Sequence, residues 1–73
     1  MKNSMGYLAV IEKAGANYSA YVPDLPGCVA TGRTREEVRQ MISAAVAMHI
    51  EGLREDGLPI PEPTTSADVV QPA

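Results

Sequence analysis

Residues 17–38 read Asn17-Tyr-Ser-Ala-Tyr-Val-Pro-Asp-Leu-Pro-Gly-Cys-Val-Ala-Thr-Gly-Arg-Thr-Arg-Glu-Glu-Val38, and this stretch decides the fold. It opens with an alternation of period two, the signature of a strand: Tyr18, Ala20 and Val22 face one way, Ser19 and Tyr21 the other. Pro23 then ends ladder donation, Asp24 can bond to backbone nearby, and Pro26-Gly27 suits a type II turn. Cys28 to Thr31 reads as a short further strand. After Gly32-Arg33, Thr34 has the chemistry of a helix N-cap, with Glu37 at the third helical position to complete a capping box. Glu36 and Glu37 also complement the positive end of the helix.

Working outward, Met5 to Lys13 reads as a preceding strand. Tyr7, Ala9 and Ile11 alternate there with Leu8, Val10 and Glu12, and two largely apolar faces suggest a central position in the sheet. Ala14-Gly15-Ala16-Asn17 supplies the reversal between the two strands, with Gly15 free to take φ > 0. Downstream, the helix is expected from Arg35 to about Asp56, with Gly57 as its stop. At 100° per residue, Val38, Ile42, Ala45, His49 and Leu53 form one stripe, flanked by Met41, Met48, Val46 and Ile50. The apolar arc spans roughly 200°, about twice what covering one sheet requires. A helix about 33 Å long also overhangs strands that reach only about 17–20 Å. Arc and overhang together suggest a second contact surface, with Met41, Met48, His49, Ile50 and Leu53 as candidates for self-association.

The prolines of Leu58-Pro-Ile-Pro-Glu-Pro63 impose an extended path, from which Leu58 and Ile60 could dock on the core. Residues 1–63 thus form one α+β domain of order β-β-β-α, a three-stranded antiparallel sheet with a long helix on one face. Residues 64–73 form a tail, either ending in a short edge strand at Asp68-Val-Val-Gln71 or disordered.

At 73 residues there is room for one domain. With no Phe or Trp, aliphatics, methionines and three tyrosines must build the core. One cysteine excludes an internal disulfide, and no Cys/His cluster suggests zinc, so association with another chain is the remaining way to add stability. The formal charge of −3 argues against a nucleic-acid surface and suits a basic protein partner. No apolar run is long enough for a signal peptide or a membrane span, so a cytoplasmic protein is expected.

Catalytic chemistry finds little to work with. His49 is the only histidine and falls on the apolar stripe. Cys28 has no base near it in sequence, and Glu12 and Asp24 are two scattered carboxylates. No enzyme activity, metal or cofactor is expected. The tyrosines are better suited to binding. Tyr18 and Tyr21 face opposite sides of their strand, so one of them lies away from the helix, where tyrosine serves well at an interface. Tyr18, Tyr21, Asp24 and Leu25 are the candidate partner contacts.

The order Tyr-x-Ala-x-Val-Pro-Asp-Leu-Pro-Gly-Cys (residues 18–28), followed by Gly-x-Thr-x-Glu-Glu (32–37), closely resembles the HicB-like antitoxin family. The likeness runs back over Tyr7 to Lys13 and forward to Pro63. It implies a reduced ribonuclease-H-like fold without nuclease residues. It also implies an antitoxin that blocks a small basic HicA-type toxin, an mRNA-cleaving ribonuclease, by covering its active site. Many members continue into a DNA-binding segment. The residues after Pro63 are too few for one, so no direct DNA binding by this chain is expected. The alternative is a solitary HicB-like domain, self-assembling in a structural or ligand-binding role without a toxin. A homodimer is the default assembly and a tetramer the next.

Overall fold

The computed structural model of the chain describes residues 6–72. Its elements are β1 (Val10–Ala14), β2 (Asn17–Tyr21), β3 (Val29–Gly32) and α1 (Arg35–Glu55). The strands form one antiparallel sheet of order β1-β2-β3, and α1 contacts all three. This is the expected α+β architecture, with two changes. The first strand is an edge, not the centre, because β2 pairs with both neighbours. It also starts later, at Val10, while Met5 lies outside the described residues.

The β1–β2 hairpin closes on Gly15-Ala16, with Ala14 opposite Asn17. Gly15 alone takes φ +63°, which is the II′ arrangement whose twist matches that of the flanking strands. Two successive turns make the following corner. The Leu25 N–H donates to the Val22 carbonyl at 3.0 Å, with Pro23 pre-setting the turn. The Cys28 N–H donates to the Leu25 carbonyl at 3.0 Å, with Pro26 and Gly27 (φ +87°) in type II positions. Cys28 thus belongs to the turn, and β3 begins one residue later than expected.

The corner is also part of the core. Buried side chains come from β2 and its continuation (Ala20, Val22), the corner (Leu25, Cys28) and the first turns of α1 (Val38, Ile42). Leu25 and Val38 are completely enclosed. Each contributes about 1.5–3 kcal/mol by burial, in a domain whose total stability is about 4–11 kcal/mol.

The helix begins as expected. Thr34 is the N-cap, its hydroxyl accepting from the Glu37 N–H at 3.0 Å. The reciprocal half of the capping box falls one residue early: Glu37 Oε1 accepts from the Arg33 N–H at 2.6 Å. Gly32 sets how closely helix and sheet meet, since a Cβ there would lie 2.8 Å from the Val38 backbone nitrogen. At the other end, the Leu58 N–H donates to the Leu53 carbonyl at 2.9 Å. The Gly57 N–H donates to that of Arg54 at 3.1 Å. With Gly57 at φ +69°, these bonds form a Schellman motif.

Candidate partner-binding surfaces

The helix covers one face of the sheet and leaves the other open. Register places Val10, Tyr21 and Val29 directly across from one another, on the face away from Ala20 and Ala30. Tyr21 is 44% exposed and Val29 64%, so the row forms an apolar band across the open face. Tyr18 is the inward tyrosine, partly buried against the core.

Two of the expected partner contacts have other work. Leu25 is 0% exposed and packs in the core, so it offers no surface to a partner. Asp24 is held by the tail. Its Oδ2 accepts from the backbone N–H groups of Thr64 (3.1 Å) and Thr65 (3.0 Å), and its Oδ1 binds their hydroxyls at 3.2 and 2.8 Å. The Thr65 backbone bond leads in holding the Asp24 carboxyl below the usual carboxylate range. The Thr65 hydroxyl and the two Thr64 bonds add to it, and partial desolvation opposes it. Burial pushes the Cys28 thiol up, which makes it a packing residue and a poor nucleophile.

A second tail contact comes from the Tyr7 hydroxyl, which donates to the Pro61 carbonyl. Leu58 and Ile60 remain 51% and 37% exposed, so the tail is fastened by these polar bonds more than by the expected docking of its aliphatics. No strand forms at 68–71. The Asp24 clamp joins residues 40 and 41 positions apart, and nothing in sequence beyond the capacity of Asp and Thr for such bonds signals it.

The wide helix arc divides into two flanks. On the β3 side, Met41 and Met48 are exposed at 49% and 77%. With Ala44, Ala45, Val29 and Ala30 they line an open groove in which no lining residue carries a charge. On the opposite flank, Ile42, Val46 and Ile50 line a groove against Tyr7 and Ala9, rimmed by Arg39, Glu51 and Arg54. His49 is partly buried and lines a shallow cleft with Cys28 and Met48, and Leu53 is partly buried. The five residues expected to form one self-association patch therefore split, with Met41 and Met48 on one flank and Ile50 on the other. Among the described residues, no group of three or more His, Cys, Asp or Glu side chains could hold a metal ion. No helix there is long and apolar enough to cross a membrane.

Fold and surfaces describe a small α+β domain whose chemical distinction is exposed apolar area on an open sheet face and beside a sheet edge. The family model for the HicB_like antitoxin of bacterial toxin-antitoxin system matches residues 7–73, and the chain belongs to that family. Among similar proteins is one described as an uncharacterized 14.9 kDa protein in the rep-hol intergenic region of Haemophilus phage HP1. It is 40% identical over 58 residues, which cover 80% of this chain and 44% of the phage protein. UPF0150 proteins of Helicobacter pylori and Synechocystis are 42% and 36% identical over 50 and 62 residues. These matches cover 68% and 84% of this chain and 69% and 78% of those proteins. The chain thus spans less than half of its phage relative. No solved structure matches it.

Proposed function

We propose that the chain is the inhibitory component of a toxin–antitoxin pair, acting in the cytoplasm without catalysis of its own. Its target is a basic HicA-type ribonuclease toxin, whose active site it covers with the open face of its sheet. The observation that carries this reading is the Val10–Tyr21–Val29 band: an apolar row with an exposed central tyrosine, exposed Val29 and half-buried Val10, on a domain of net charge −3. Tyrosine is enriched at the energetic centres of interfaces, and an acidic domain steers toward a basic partner. Family membership supports the toxin partner. Tyr21 is the central contact, while Asp24 acts indirectly by fixing the tail beside the corner.

The test is co-expression of the chain with the product of its adjacent gene, followed by purification and an RNA-cleavage assay. A stoichiometric complex that silences an otherwise active ribonuclease is expected, and Tyr21→Ala should restore cleavage. An active neighbouring ribonuclease that neither binds the chain nor is silenced by it would overturn the reading. The charge-free groove beside β3 favours a second reading, a self-assembling domain without a toxin, which predicts an oligomer and no such complex.

A further inference from the structure

The two edges of the sheet are not equivalent. β1 carries Glu12 and Lys13, the kind of charged residues that blunt an edge against further pairing. β3, reading Val-Ala-Thr-Gly, carries no charge, and beside it lies the uncharged groove of Met41, Ala44, Ala45 and Met48. The β2–β3 register tells which backbone groups are free. The Val22 N–H donates to the Cys28 carbonyl at 3.1 Å, which makes Val22–Cys28 a hydrogen-bonded pair. Alternation along an antiparallel ladder then turns the N–H and C=O groups of Ala30 and Gly32 toward β2, and those of Val29 and Thr31 outward.

We infer that β3 pairs antiparallel with β3 of a second copy of this chain, about a two-fold axis at Ala30, giving one continuous sheet across the dimer. The register is self-complementary. Val29 of each copy exchanges backbone hydrogen bonds with Thr31 of the other, so the outward groups on both edges are satisfied. Ala30 meets its own copy as a non-hydrogen-bonded pair, the closest kind, where a small side chain fits. A two-fold axis perpendicular to the sheet keeps both helices on one side, and Met41 and Met48 of the two copies then close over the junction. Charge favours this occupant. The groove itself carries no charge, and the cleft that adjoins it at Thr31 and Met41 holds one cation and one carboxylate, Arg33 and Glu37. The edge thus offers a balanced surface that suits its own copy better than a strongly basic partner. The dimer does not depend on the antitoxin reading and leaves Tyr21, on the central strand, free for a toxin.

Three measurements on the full chain test it. Light scattering should give twice the 7.7 kDa chain mass. Thr31→Pro removes an outward N–H without touching the β2–β3 ladder and should halve that mass, as should Met48→Glu, with unchanged circular dichroism. Ala30→Cys, in a Cys28→Ala background, should form an intermolecular disulfide on mild oxidation. Cα atoms of such a pair lie about 4.5 Å apart, within disulfide reach. Glu12→Cys in the same background, on the opposite edge, should not. A native chain that stays monomeric, a dimer untouched by Thr31→Pro, or cross-linking through Glu12→Cys alone would each overturn the inference. So would a monomer that pairs along β3 only with a toxin.

Discussion

At the scale of single residues, the corner shows how neighbours in sequence divide their roles. Leu25 is enclosed and Asp24 is bonded to the tail, while Tyr21, a few residues earlier, is left to solvent. Leu25→Ala should cost about 2–5 kcal/mol, a large share of the stability of so small a domain, measured by urea unfolding. Asp24 makes the tail pH-sensitive. Its folded pKa is depressed below the unfolded value of about 3.9, so its stabilisation is fully present above that value. It is lost as the pH falls through the folded pKa. The Thr64 and Thr65 amide resonances should therefore shift toward unstructured positions as pH drops below about 4, while those of Val38 and Ile42 hold. Asp24→Asn should produce the same tail release at neutral pH. Sequence marks Asp24 as a turn residue and Leu25 as apolar. Neither label tells that the carboxylate reaches residues 64 and 65 or that the leucine turns inward, because both depend on where distant chain arrives.

At the scale of elements, the helix was legible almost to the residue. Thr34, Glu37 and Gly57 act locally, through bonds within a few positions, and local chemistry is what a sequence displays. Thr34→Ala should lower stability by about 0.5–2 kcal/mol through loss of the cap. Gly32 is a different case. Its need for no side chain comes from Val38 packed 2.8 Å from where a Cβ would sit, and the packing angle of helix on sheet is not written in either residue. Gly32→Ala should destabilise by about 1–3 kcal/mol, since backbone rather than a flexible side-chain end must yield; thermal unfolding would show it. The first strand was expected at the centre because both its faces look apolar. It lies at an edge, and the apolar residues just before it, Tyr7 and Ala9, instead line the helix flank with Ile42, Val46 and Ile50, while the Tyr7 hydroxyl bonds the tail at Pro61.

For the whole molecule, the proposed toxin contact centres on the open sheet face and the inferred dimer on the β3 edge, so the two should be separable by mutation. Tyr21→Ala should weaken toxin binding about tenfold or more and leave chain mass unchanged, because Tyr21 lies on the central strand β2, with its side chain on the open face and away from the β3 edge. The fold should tolerate it, since the cross-strand contacts of Tyr21 with Val10 and Val29 are worth about 0.2–1 kcal/mol each. Association of this acidic chain with a basic toxin should slow as ionic strength rises, seen in stopped-flow binding, whereas the β3 junction, with an uncharged groove and a single balanced pair of Arg33 and Glu37 beside it, should depend on salt far less.

Sequence by itself determined the elements and their order: strand alternation, turn glycines and prolines, and helix caps all act over a few residues, and their chemistry is read directly. It also carried the family signature, in residues 18–28 and 32–37. Only the tertiary structure decided which strand is central, that Leu25 faces the core, that Asp24 fastens the tail, and that the apolar helix arc splits into two flanks. Each of those outcomes depends on contacts between residues far apart in the chain, and such contacts are set by packing geometry, which no local pattern encodes.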